Sequence, residues 1–209
     1  MPAHCDAVLR RHFWFWAEGT YNQSANLNSP AVLLGMHMTS VGRGCNMVLD
    51  MSPTPTGLLQ TNDVETYAGF GDGQQVLYNH SQVAAAPAPA RGQAVVEVLL
   101  PTSQITRGAI ELRENLTMGQ AIESYNISHS ADGKTWLPLP LRNEMMLTIG
   151  NRRIQYWDGV TVGPHVRVEV QTLVMASGQR AVPHIRSVRL MDWGAPVLDT
   201  LLASILTVP

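Results

Sequence analysis

The sequence predicts an α/β segment followed by an all-β sandwich. In the first 84 residues, apolar positions at helical spacing alternate with a compact run of strand length, an order typical of α/β proteins. Residues 84–92, AAAPAPARG, then carry Ala and Pro without hydrophobic periodicity, as a linker does. Beyond them come about eight short β-like runs at the spacing of a sandwich. The division reads as 1–84 for the α/β part, 85–92 for the linker, 93–195 for the sandwich and 196–209 for a tail.

Each element has a local reason. Val32, Leu33, Met36 and Val41 recur at helical spacing from Pro30 to Val41, and Gly42 and Gly44 follow as a C-terminal stop. Met47 to Met51 is a short apolar run that predicts a buried strand, ended by SPTPTG at 52–57. Thr61 and Asn62, with Glu65 three residues past Asn62, open a second helix through Val64, Tyr67, Phe70 and Leu77, interrupted by Gly69, Gly71 and Gly73. In the second part strands are expected at Val95–Leu100, Ala109–Arg113, Ser124–Ser130, Trp136–Leu139, Met145–Ile149, Arg152–Trp157, Val166–Val174 and Ile185–Met191. Asp132-Gly133 makes a hairpin turn.

Composition excludes several classes. A net charge of −2 with 14 scattered Lys and Arg leaves no basic field for nucleic acid. No run approaches the ~20 apolar residues of a membrane span. Met1 to Asp6 has neither the basic start nor the apolar core of a secretory leader. Cys5 and Cys45 have no zinc spacing and read as two thiols or one bridge, and no metal or cofactor is implied. His80, His129, His165 and His184 likewise lack ligand spacing. Four Asn-x-Ser/Thr sequons, at Asn22, Asn79, Asn115 and Asn126, exceed the roughly one expected by chance.

SVGRGCNMVLDMSP at 40–53, followed by TGLL at 56–59 and Asp63-Val64, resembles the last barrel strand and helix of α-L-fucosidases of glycoside hydrolase family 29. LRENLTMGQAIESYNIS at 112–128, DGKTW at 132–136 and GNRRIQYW at 150–157 resemble the discoidin-type jelly roll that often follows that barrel. The resemblance implies the end of a (β/α)8 barrel joined to a galactose-binding-like jelly roll. The implied activity is retaining hydrolysis of terminal α-L-fucose, with a fucosylated glycan as partner. Proteins of this kind are usually secreted, apoplastic or lysosomal.

PAHCDAVLRRHFWFW at 2–16 is similar to the family's PAECDVSIRPGWFYH, so His4 stands where the resemblance places an acid/base Glu. A retaining glycosidase needs two carboxylates. The family nucleophile lies on a strand these residues do not contain, so the resemblance implies a scaffold without its catalytic pair, completed by self-association or a second chain. Trp14 and Trp16 fall on aromatic or His positions near the sugar pocket, and Asp50 ends the presumed last strand, where the family usually has Asn. Trp136 and Trp157 are either core residues or stacking platforms for sugar, and a non-catalytic carbohydrate-binding or structural sandwich is the alternative function.

Overall fold

The computed structural model describes residues 3–19, 24–80, 82–87, 89–101, 104–142 and 147–194. The chain divides into two units near His80, four residues before the expected end of the α/β part. The expected tail, 196–209, lies outside the described residues.

The first unit is a β-α-β arrangement with a second helix. Strand β1 (His4–Val8), helix α1 (Pro30–Ser40) and strand β2 (Asn46–Asp50) follow in order, and the strands pair in parallel from His4 opposite Asn46 to Val8 opposite Asp50. A parallel pair requires a crossover, and α1 supplies it. Ser29 caps α1 by accepting a hydrogen bond from the Val32 N–H at 3.3 Å, with Pro30 pre-set at the first helical position. The disulfide Cys5–Cys45 ties the start of β1 to the residue before β2, so the bridge is the alternative realised.

The expectation of a fully buried strand at Met47 to Met51 needs correction. Both strands alternate: His4, Asp6, Asn46 and Val48 are exposed, whereas Cys5, Ala7, Met47 and Leu49 are half-buried. One face of this two-stranded sheet, with His4, Asp6, Asn46 and Asp50 beside Val8 and Val48, is therefore largely polar and the more open of the two.

Helix α2 (Thr61–Gln75) continues as a π turn through His80. Its glycines do not interrupt it. A Cβ on Gly73 would come within 2.6 Å of Leu34 Cδ1, and one on Gly69 within 3.0 Å of Pro30 Cγ. One turn apart, the two residues let α2 approach α1 more closely than any side chain allows.

The second unit is a sandwich of two four-stranded antiparallel sheets. Its strands are β3 (Gln82–Ala86), β4 (Val95–Leu99), β5 (Ile105–Glu114), β6 (Ile122–Ser130), β7 (Leu137–Pro138), β8 (Arg153–Val162), β9 (His165–Thr172) and β10 (Ile185–Asp192). The sheet orders are β3-β10-β5-β8 and β4-β9-β6-β7. Alternation builds the core: Val96 and Val98 of β4, Ile110 and Leu112 of β5, and Val166 and Val168 of β9 point inward, with Glu97 and Arg167 outside.

Two expectations change here. The start of the expected linker lies inside β3, which pairs along β10 while Val83, Ala84 and Ala86 pack on the core. Small side chains suit an edge strand that has little room to fill. The strand expected at Met145–Ile149 falls partly outside the described residues, and Leu147 makes an isolated bridge to Ser124.

The Asp132-Gly133 turn forms between β6 and β7 as expected. Asp132 Oδ1 accepts hydrogen bonds from the Thr135 and Lys134 N–H groups, both at 2.8 Å, and these hold its carboxyl down to about 2. At the other end of the sandwich, buried Glu114 accepts from the N–H groups of Ala121 at 2.7 Å, Ile122 at 3.0 Å and Gly150 at 3.3 Å, closing three loop donors with one carboxylate.

Candidate functional site

In parallel β-α units, ligands are handled at the carboxyl ends of the strands, because the loops that follow them gather there. That end of β1 and β2 is locked by an ion pair that sequence reading passed over. Arg10, two residues past β1, is buried and places Nη2 2.6 Å from Asp63 Oδ1 in the first turn of α2. The same guanidinium donates to Gln60 Oε1 and Asn62 Oδ1, both at 3.0 Å. Asp63 also sits where the helix N-terminus favours a negative charge. The arrangement costs desolvation and returns it through several charge-assisted bonds, so its role is to fix the loop after β1. The signal for it in the sequence is the Arg10-Arg11 pair directly after the apolar Ala7-Val8-Leu9.

Asn28 completes the lock. Its Nδ2 donates to the Val8 carbonyl at 3.0 Å, its backbone N–H to Leu9 O at 3.0 Å, and its Oδ1 accepts from Arg11 Nε at 2.9 Å. His12 takes a φ of 69°, a left-handed conformation that suits glycine. In the motif that residues 2–16 resemble, the matching position is Gly.

On this scaffold the structure brings Trp14 and Asp50 together through Ser52. Ser52 Oγ lies 2.8 Å from the Trp14 carbonyl and 3.3 Å from Asp50 Oδ2. Trp14 is 51% exposed, Trp16 is half-buried two residues on, and Asp50 is half-buried at the last position of β2. Asp50 and the half-exposed Trp14 are groups that can take the hydroxyls and the C–H side of a polyol, while the buried Ser52 hydroxyl ties their two segments together. A cavity of about 400 Å³ lies between β1 and α1, lined by Cys5 to Val8, Trp14, Met36, Thr39, Ser40 and Met47; Asp50 and Ser52 are not among its walls.

His4 is not part of this group. It opens β1 opposite Asn46, at the end away from Asp50. Asp63, the other acid near the C-terminal end, is already held by Arg10. On β1 and β2 the other carboxylate is Asp6, exposed on the same face and paired with Val48, two positions from the Val8–Asp50 pair.

The two sandwich tryptophans part company. Trp157 is 0% exposed, and its Nε1 donates to the Ile105 carbonyl at 3.2 Å. A ring with no open face has none to offer a sugar, so of the two readings Trp157 takes the core one. Trp136 is half-buried on the outer face of the β4-β9-β6-β7 sheet. The Arg167 guanidinium lies 3.8 Å over its ring centroid and is itself anchored on Glu97 Oε1 at 2.9 and 2.7 Å, while His165 packs edge-on at 6.4 Å. It is neither a core anchor nor an unobstructed platform: one face is taken by a cation.

No protein-family model matches the chain. Among curated proteins it is similar to a provisionally assigned α-L-fucosidase 1 of rice (Oryza sativa subsp. japonica), with 25% identity over 162 residues, 63% of this chain and 30% of the rice protein. It is also similar to α-L-fucosidase 1 of Arabidopsis thaliana, with 29% identity over 82 residues, 39% of this chain and 15% of that protein. The chain therefore aligns with less than a third of the length of either. Its fold is shared with a provisionally assigned α-L-fucosidase from Bacteroides thetaiotaomicron, with a TM-score of 0.74 and 24% identity, covering 91% of this chain and 40% of that one. A family 29 fucosidase of Ruminococcus gnavus solved in complex with fucose matches with a TM-score of 0.68 and 18% identity, covering 90% of this chain and 41% of its own.

Proposed function

We propose that this chain, which matches a C-terminal part of α-L-fucosidases of glycoside hydrolase family 29, is the supporting portion of a retaining fucosidase and does not turn over fucosides by itself. The observation that carries the reading is the parallel pair β1 and β2, joined through α1, with one exposed polar face and a locked carboxyl end. Strand, helix and parallel strand make the repeating unit of a (β/α)8 barrel, and the polar face with His4, Asp6, Asn46 and Asp50 corresponds to the lumen such a barrel would enclose. The sandwich is read as the jelly roll that follows it.

The division of labour follows from what the site holds. Retention requires a nucleophile and an acid/base about 5–5.5 Å apart. Asp6 shares the face with Asp50 but sits two strand steps and one strand spacing away, about 8 Å at the backbone and wider than that interval, so the role of Asp50 is to orient Ser52 and take sugar hydroxyls, while Trp14 supports the C–H face of the ring. Nucleophile and acid/base would come from the remaining strands, in the same polypeptide or a second one. Each of the two strands has one unpaired edge among the described residues, and those edges invite the missing strands or a second copy.

A second reading, a sugar-binding sandwich, loses the aromatic residues it relied on, since Trp157 is buried and Trp136 is covered on one face.

The test is hydrolysis of an aryl α-L-fucoside. The 209 residues alone are expected to give background rates, and supplying the rest of the barrel is expected to give turnover, with Asp50→Ala raising KM. Turnover by the 209 residues alone, abolished by His4→Ala, would refute the proposal.

A further inference from the structure

The β5–β6 connection carries a feature the proposed function does not use. Asn115, just past β5, begins the sequon Asn115-Leu116-Thr117 and caps a 3-10 turn over Leu116–Met118. Its Oδ1 accepts from the Thr117 N–H at 3.1 Å and from the Thr117 hydroxyl at 2.9 Å. Its backbone N–H donates to the His184 carbonyl at 2.8 Å. The amide Nδ2 makes no hydrogen bond among the described residues, so the group a glycan would occupy is the one the fold leaves unused.

Asn115 also lines a groove of about 510 Å³ whose other walls include Arg91, Met118, Leu173, Met175 and Val182. Met118 is 80% exposed, Met175 48% and Val182 50%, an apolar rim at the end of the sandwich. Such a rim offers apolar surface on which a neighbouring group can rest.

We infer that Asn115 is an N-glycan acceptor and that the attached sugar lies over this apolar rim. In the transfer, Asn115 Nδ2 attacks the anomeric carbon of an oligosaccharide carried on a polyprenyl pyrophosphate. The N–C bond forms, the C–O bond to phosphate breaks, the amide loses one proton, and the lipid pyrophosphate leaves with the bonding electrons. No electrons are exchanged with a redox partner. Two features agree on the compartment this requires: the Cys5–Cys45 disulfide belongs to an oxidising environment, and sequons occur at more than the chance frequency.

Asn126 is a competing acceptor with its whole sequon among the described residues. It lies in the middle of β6, paired opposite Glu169 of β9, and Ser128 is paired on both sides, so its sequon is presentable only while that ladder is open. The Asn115 turn needs no ladder. Asn22 and Gln23 of the first sequon and Ser81 of the one at Asn79 lie outside the described residues, and the Asn79 amide nitrogen donates to Gln75 Oε1.

The experiment translates the full chain behind a secretion signal in the presence of microsomes, so that occupancy is read on the nascent chain whether or not a variant folds. One glycan-sized increment removable by an N-glycosidase is expected to disappear in Asn115→Gln and in Thr117→Ala, and to persist in Thr117→Ser and Asn126→Gln. Peptide mass mapping of secreted chain is expected to place the sugar on Asn115, and enzymatic removal of it is expected to raise binding of a hydrophobic dye. An increment unchanged in Asn115→Gln, or mapped to Asn126 with Asn115 bare, overturns the assignment. Dye binding unchanged by deglycosylation overturns the covering role.

Discussion

Replacing Glu111 with Gln removes the negative charge around which three arginines of the sandwich are arranged. Glu111 is buried on β5, and its Oε1 accepts from Arg113 Nη2 at 2.9 Å and from Arg152 Nε, while Oε2 takes Arg189 Nη1 at 3.2 Å. The three guanidinium side chains are between 14% and 29% exposed. Burial by itself would raise the Glu111 carboxyl, but the charges of Arg152, Arg113 and Arg189 together hold it below its ordinary value of 4.5. Breaking such a group on one side leaves buried positive charge uncompensated, which costs ~3 kcal/mol or more. With a urea slope of ~2 kcal/mol/M for a unit of this size, the midpoint should fall by about 1.5 M. The pH dependence has a definite sign. A depressed carboxyl contributes stability that is fully present above its unfolded value near 4.5 and is lost as pH falls through the lower folded value. Urea melts followed by sandwich tryptophan fluorescence from pH 7 to pH 3 should therefore show wild type losing stability at the acid end and Glu111→Gln, already weaker, losing less. Equal midpoints at pH 7, or parallel acid limbs in the two proteins, would refute the reasoning.

Other sites make sharper or smaller changes. Gly108→Ala should cost ~2 kcal/mol or more in a thermal melt, because its Cβ would meet Trp157 Cζ2 at 2.5 Å and the Met191 carbonyl at 2.6 Å, neither of which can yield cheaply. Trp157→Ala should cost ~3 to 5 kcal/mol, whereas Trp136→Ala should cost ~1 kcal/mol, the worth of an exposed cation–π contact. Denaturation midpoints of the two variants check this difference. Cys45→Ser should lower the stability of the first unit by about 4 kcal/mol, since the bridge closes a separation of 40 residues. Differential scanning fluorimetry with and without reductant should then show a shift in wild type and none in the variant.

Patterns confined to neighbouring residues were legible in the sequence. Alternation in β4 and β9 and the Asp132-Gly133 turn needed nothing beyond the residues themselves. What escaped depends on partners distant in sequence. β3 was read as linker because Ala-rich residues show no period, and it is a strand only because β10 pairs with it. Gly69 and Gly73 looked like helix breakers until α1 was placed against them. Trp136 and Trp157 are chemically alike in the sequence, and what separates them is an Arg over one ring and a closed core around the other. In the candidate site, Asp50 and Trp14 were named from the resemblance, but Ser52, which joins them, and Arg10, which anchors the loop, became visible only through contacts across the sheet.

The position of His4 decides how far the catalytic analogy carries. Residues 4 and 50 lie on the same face of the sheet, since the register pairs His4 with Asn46 and Val8 with Asp50. Four strand steps separate them along the sheet, about 13 Å at 3.3 Å per residue, with about 5 Å more across the pair. Retaining glycosidases hold their carboxyl groups at about 5–5.5 Å and inverting ones at about 6.5–9.5 Å. A Glu at position 4 would thus begin from the far end of β1, and a side chain spanning a few ångströms does not close that interval to a carboxylate at Asp50. Restoring the family's residue at position 4 consequently cannot by itself create a catalytic pair on this sheet. Asp6, the other carboxylate on this face, is two strand steps and one strand spacing from Asp50, about 8 Å at the backbone, so a partner at retaining distance is expected from the loops of further strands, at the end that Arg10, Asn28 and Ser52 already keep in place.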